Sequence, residues 1–138
     1  MNKVMFVSKT AAENAGGWPD WAIISITEDY KASLQGGWYA VCRQQFHDVD
    51  PSVGCDVPHV LMEAKHAMSI VEFVNRVSPE VEGILVHCKA GISRSAAIAK
   101  WIAEKYGLPF EHRYESYNKH VYRLLQEADE VWVRSNKS

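Results

Sequence analysis

Long apolar runs are missing from this chain. The longest stretches, such as Trp21 to Ile26, fall far short of the roughly 20 residues that a membrane span needs. The N-terminus also lacks the apolar core of a signal peptide, so no membrane is expected as a partner and the protein is read as soluble and cytoplasmic. No tract of Gly, Pro or Ser is long enough for a linker or a disordered segment, and no internal repeat is visible. Cysteine is scarce: Cys42, Cys55 and Cys88 are an odd number, which excludes a framework in which every thiol is paired and makes free thiols the default. An excess of charge is absent too. Fifteen basic residues against 17 acidic ones leave a formal net charge of -2, so no global field draws nucleic acid, and none is expected as a partner. Any anion must be held by a local arrangement.

What is present suits one domain over residues 1–138, with 47% hydrophobic and 23% charged residues, large enough to bury a single core without a structural metal. Val4 to Val7 reads as a short buried strand, and Ser8 to Asp20, broken by Gly16, Gly17 and Pro19, as loop with a helical turn. Ala22 to Ile26, rich in β-branched residues, reads as a second strand that ends at the polar Thr27-Glu28-Asp29. Trp38 to Phe46 reads as a third. From Asp56, a candidate N-cap, the period changes: Val60, Leu61, Ala64, Met68, Val71 and Val74 fall on one helical stripe. Gly83 to His87 is a short continuous apolar run suited to a central strand covered on both faces. Ser95 to Tyr106 is helical, stopped by Gly107 and Pro109, and Tyr114 to Val133 reads as a last amphipathic helix. The expected fold is α/β, a central, mostly parallel sheet of four to five strands flanked by helices. In such folds ligands bind beyond the carboxyl ends of strands, and the junction from His87 to Ser95 is such a place.

That junction reads His87-Cys88-Lys89-Ala90-Gly91-Ile92-Ser93-Arg94-Ser95. A short loop between a strand end and a helix start can curl until successive backbone N–H groups converge on one anion. The helix adds its unpaired N–H groups and the positive end of its dipole, which favour both a bound phosphate and a thiolate. Cys88 is the candidate nucleophile, since such surroundings lower a thiol from about 8.5 to about 3.5–7.5. Arg94 is the candidate phosphate clamp: its planar fork offers parallel N–H donors to two phosphoryl oxygens, which a lysine cannot reproduce. Gly91 supplies backbone freedom, Ser95 Oγ is placed to hydrogen-bond the sulfur, and His87 is placed to orient the loop. Lys89, Ala90, Gly91, Ile92 and Ser93, with Arg94, form the candidate phosphate cradle.

This segment resembles the signature of the cysteine-dependent protein tyrosine phosphatases, and its Ala-Gly pair and Ser-Arg-Ser are similar to the small dual-specificity members. The resemblance runs from about residue 20 to about residue 130 and takes in the acidic loop after a strand, the long helix, and Tyr117-Asn118 before a late helix. It implies a phosphatase fold with the phosphate loop between a central strand and a helix N-terminus. It also implies hydrolysis of phosphotyrosine, with phosphoserine and phosphothreonine as further substrates, through a cysteinyl-phosphate. The leaving oxygen then needs a proton donor. In the family that donor is an aspartate after an earlier strand, and Phe46-His47-Asp48 resembles its setting, 40 residues before Cys88. Asp50 is the runner-up. Asp56, 32 residues before Cys88, is closer to the family spacing but reads better as an N-cap. Asn118 resembles a position that braces the signature loop.

Other readings stand beside these. Cys42 reads as core filling and Cys55 as a loop thiol able to trap an oxidised Cys88. His59, His66, His112 and His120 have no zinc-like spacing, so no metal and no cofactor are expected. Trp18, Trp21 and Trp38 read as packing residues. The expected partner is a phosphorylated protein or peptide, with a small phosphorylated molecule as the alternative. Lipid-directed relatives carry extra basic residues in the loop, where this chain has Ile92 and Ser93. A non-catalytic phosphate binder, and a sulfur-transfer or arsenate-reducing enzyme, are the remaining classes.

Overall fold

The computed structural model describes residues 1–49 and 60–136. Four strands, β1 (Lys3–Ser8), β2 (Trp21–Thr27), β3 (Ala40–Gln45) and β4 (Gly83–Cys88), and four helices, α1 (Lys9–Asn14), α2 (Ala64–Val77), α3 (Arg94–Tyr106) and α4 (Lys119–Ser135), follow in the order β1-α1-β2-β3-α2-β4-α3-α4. They form one sheet in the order β1-β4-β2-β3, and every pairing is parallel. Parallel strands need crossovers; α1 and α2 provide two of them and residues 28–39 the third, and the helices cover the sheet faces. β4 is therefore interior, and all six of its residues are buried.

Side chains of a strand alternate between faces, and here the alternation sorts two cores. Ile24, Ile26, Ile84 and Val86 face the larger one with Phe46, Ile70, Ile98 and Leu125, under α2, α3 and α4. Ile23 and Leu85 face a smaller one with Ala12 of α1 and Trp38. Each large aliphatic side chain buried this way contributes about 1.5–3 kcal/mol. The same alternation sends Cys88 to the α3 face and His87 to the α1 face. Trp18 packs against Trp21 and against Trp38, with ring centroids 5.2 Å apart in each pair.

Element boundaries differ from expectation in three places. Residues 60–63 are not helical, although Val60 and Leu61 lie on the apolar stripe. A backbone bond from the His47 N–H to the Val60 carbonyl at 2.7 Å, and a bond from the Val60 N–H to the His47 side-chain Nδ1 at 3.0 Å, tie that segment to the end of β3, and Glu63 caps α2 instead. Asp56 lies outside the described residues. The last helix begins at Lys119 rather than Tyr114, because the Asn118 side chain accepts the Val121 N–H and fixes the N-cap there. The stretch after β1 contains a six-residue helix capped by Ser8, where only a turn is expected. Gly107, with φ 67°, ends α3 as a left-handed C-cap.

Candidate active site

Cys88 ends β4 on the α3 face and forms part of a cavity of about 300 Å³ lined by Glu28, Asp48, Cys88, Lys89, Ala90, Ile92, Ser93 and Arg94. Its Sγ lies 3.2 Å from Ser95 Oγ. Burial pushes the thiol up, but hydrogen bonds from the Ser95 side chain and from the Ser95 and Gly91 N–H groups, with the charge of Arg94, outweigh it and hold Cys88 below its ordinary value. Two of these donors belong to Ser95 in the first turn of α3, and the third comes from the loop, which turns tightly at Gly91. There φ is 73°, and a Cβ would lie 2.4 Å from Ser8 N. Only glycine fits where the loop crosses the end of β1.

Arg94 opens α3 and is 3% exposed. A buried guanidinium must be paired. Nη1 donates to the Phe46 carbonyl at 2.8 Å, and Nη2 lies 3.4 Å from Glu28 Oε1. Its buried Nε–H has no hydrogen-bond partner among the described residues. It is a donor of the planar fork that an oxyanion takes up bidentately.

Asp48 lines the same cavity. Its Oδ1 accepts the Ser93 hydroxyl at 2.7 Å and the Asn118 amide at 2.8 Å. Asn118 also donates its side-chain N–H to the Val49 carbonyl at 3.2 Å and its backbone N–H to the Ser93 carbonyl at 3.1 Å. One residue thus touches the acidic loop, the signature loop and the start of α4. His87 is wholly buried, with Nε2 2.6 Å from Ser25 Oγ and Nδ1 3.3 Å from the Cys88 carbonyl. Burial lowers its pKa despite the contact with that carbonyl, so the ring is neutral at pH 7 and sits behind the nucleophile. The Lys89 carbonyl accepts the Lys9 N–H at 3.2 Å, while its side chain is exposed at the cavity rim.

The structure therefore brings Cys88, Arg94, Ser95, Asp48, Asn118 and the loop residues together at the carboxyl end of the sheet. Asp50 and Cys55 lie outside the described residues, as does His59. Cys42 is buried in β3, and burial raises its pKa. His66 lies in the first turn of α2, His112 is exposed, and His120 is buried with Nε2 3.0 Å from the Met62 carbonyl. Two residues of the site escape the sequence reading. Glu28 is the ion-pair partner of Arg94; its one sequence signal is a carboxylate just past an apolar strand, at the ligand end of an α/β sheet. Tyr114 donates its hydroxyl to the Ile92 carbonyl at 2.5 Å, and the sequence places it inside a helix that starts later.

No protein-family model matches the chain, and no curated protein matches it. Solved structures do. Human DUSP28 aligns with a TM-score of 0.63 over 96% of this chain and 95% of that chain, at 18% identity. The human tyrosine phosphatase-like serine/threonine/tyrosine-interacting protein aligns at 0.59 over 93% and 91%, at 20% identity. A mouse chain assigned to the dual specificity phosphatases, solved with zinc tungstate, aligns at 0.55 over 95% and 85%, at 17% identity. The chain has the fold of the dual specificity phosphatases.

Proposed function

We propose that this protein is a phosphatase that hydrolyses phosphotyrosine, and with it phosphoserine and phosphothreonine, on proteins through a cysteinyl-phosphate. The observation that carries this reading is the depressed Cys88 thiol in a cavity that Arg94 and Asp48 also line. The Cys88 thiolate attacks phosphorus, and the bond to the leaving oxygen breaks. Asp48 gives that oxygen its proton. Arg94 and the loop N–H groups bind the equatorial oxygens, where charge spreads during transfer. In the second half Asp48, now a carboxylate, takes a proton from water. The water oxygen bonds to phosphorus, the S–P bond breaks, and inorganic phosphate leaves. The Ser95 hydroxyl, 3.2 Å from the sulfur, stabilises the departing thiolate.

A solved neighbour is named as a phosphatase-like interacting protein, so the fold alone does not separate turnover from binding. Here a nucleophile and a guanidinium share one cavity, which favours turnover. Ile92 and Ser93 in the loop, in place of further basic residues, favour protein over lipid substrates. The test is hydrolysis of matched phosphotyrosine and phosphothreonine peptides in the presence of EDTA, since Arg94 and the loop supply the electrostatics themselves. Turnover of the peptides that survives the chelator supports the reading. Failure on both peptides, with turnover of thiosulfate or arsenate, overturns it.

A further inference from the structure

Tyr114 lies in the connection between α3 and α4, and its ring is held by its neighbours. Phe6 of β1 meets it edge-on with ring centroids 5.4 Å apart, and Phe110 does so at 6.1 Å. The connection is itself pinned from α3, where the Lys100 ammonium lies 5.7 Å from the Phe110 ring centroid and 5.2 Å from that of Tyr117. A side chain seated this way presents its hydroxyl at a fixed point, and that point is the Ile92 carbonyl, 2.5 Å away. Burial and the charge of Cys88 push the Tyr114 pKa up, so the hydroxyl keeps its proton and donates.

Two further carbonyls of the loop are met by donors from outside it, Lys89 by the Lys9 N–H at 3.2 Å and Ser93 by the Asn118 N–H at 3.1 Å. A planar trans peptide points its N–H opposite its C=O. A carbonyl drawn outward therefore turns the N–H of the next residue inward, which here means Ala90 after Lys89, Ser93 after Ile92 and Arg94 after Ser93. Ala90, Ser93 and Arg94 all line the cavity at Cys88. Of the three outside donors, Lys9 and Asn118 use the backbone and Tyr114 a side chain, so the Tyr114 contact is the one that a single-atom change deletes.

Resting on the phosphatase reading, we propose that Tyr114 is a positioning residue for oxyanion binding: its hydroxyl holds the peptide plane between Ile92 and Ser93 so that the Ser93 N–H is aimed at an equatorial oxygen of the phosphoryl group. It acts through the loop and not on the substrate. Without the hydroxyl that plane is free to rotate, and the apparent affinity for the oxyanion falls with the fraction of molecules in which the N–H is correctly aimed. The thiolate is served by other donors, the Ser95 hydroxyl and the Ser95 and Gly91 N–H groups. Its ionisation does not depend on Tyr114, so loss of the hydroxyl separates the two properties of the loop.

Tungstate, a tetrahedral oxyanion, is the probe, titrated calorimetrically into wild type, Tyr114→Phe and Tyr106→Phe. The last of these removes a tyrosine hydroxyl bonded to Asn75 Oδ1 at 2.7 Å, at the far end of α3. Tyr114→Phe should bind tungstate about two- to tenfold more weakly, the range of one neutral hydrogen bond, and kcat/KM for a phosphotyrosine peptide should fall by the same factor. The pH profile of Cys88 alkylation should stay that of wild type, and Tyr106→Phe should bind as wild type does. Equal tungstate affinity in Tyr114→Phe and wild type overturns the proposal. A loss that comes with a shifted alkylation profile, or that Tyr106→Phe matches, also overturns it, since either marks a general loosening. If Tyr114→Phe weakens tungstate binding as expected but the wild type turns over no phosphate ester, the positioning role stands and the catalytic reading fails. Turnover with tungstate affinity indifferent to Tyr114→Phe is the reverse case.

Discussion

Asp48 Oδ1 accepts the Asn118 side-chain N–H at 2.8 Å, across 70 residues of sequence. The Ser93 hydroxyl reaches the same oxygen at 2.7 Å. Both contacts fall on one oxygen, and Oδ2 has no hydrogen bond to protein among the described residues. In the proposed reaction that oxygen carries the proton toward the leaving group, while Asn118 and Ser93 hold the carboxylate against the signature loop.

Asp48→Asn is therefore expected to slow phosphotyrosine hydrolysis by about 10² to 10⁴. An activated aryl ester, whose leaving group is already a stable anion, should be slowed little. The wild-type rate should rise with pH as Cys88 ionises, and the Asn variant should keep that rise. Asn118→Ala should reproduce the leaving-group dependence in weaker form. An Asp48→Asn enzyme that hydrolyses phosphotyrosine as fast as wild type would move the proton donor elsewhere.

Ser95→Ala removes a hydroxyl donor to the thiolate. The fold holds the Cys88 pKa below its ordinary value, so losing a donor raises it and shifts the ionisation to higher pH. Alkylation of Cys88 at mildly acidic pH should slow by about tenfold, as for the loss of one hydrogen bond to a charged group. Following iodoacetamide incorporation against pH checks this without any phosphate ester, and a profile unchanged from wild type would remove Ser95 from the account.

The strands were legible because a parallel sheet covered on both faces leaves continuous apolar runs, as in Ala22–Ile26 and Gly83–His87. The loop was legible because its residue types are dictated by local geometry, Gly91 by a positive φ and Arg94 by its fork. Contacts between distant segments were not. Glu28 meets Arg94, and Asp48 meets Asn118, only because the strand order brings separate loops together at the carboxyl end of the sheet. The start of α2 was misread for a similar reason, since the apolar period at Val60 says nothing of its backbone bond to His47.

Arg94→Lys cannot keep both the Phe46 carbonyl and the Glu28 contact while offering a fork to phosphate. Loss of about 10² or more in kcat/KM is expected, comparable to removing an oxyanion donor, with vanadate affinity falling in parallel. Steady-state kinetics equal to wild type would contradict the clamp.

Gly91→Ala tests the crossing of the loop over β1. A left-handed φ and a Cβ 2.4 Å from Ser8 N together should cost about 3 kcal/mol, seen as a thermal midpoint lower by about 10 °C. Ala90→Gly, which introduces no such clash, should move it far less. Equal melting of Gly91→Ala and wild type would mean that the loop does not pass so close to β1.

The central claim is that phosphorus becomes bonded to Cys88. Rapid acid quenching of the protein during turnover of a phosphotyrosine peptide, followed by mass spectrometry of its proteolytic fragments, measures this directly. The account predicts one phosphoryl group on the fragment containing Cys88, accumulating in Asp48→Asn with an activated aryl ester, for which water attack alone is slowed, and absent in Cys88→Ser. Turnover with no phosphorylated fragment, or a phosphoryl group that persists in Cys88→Ser, would contradict it.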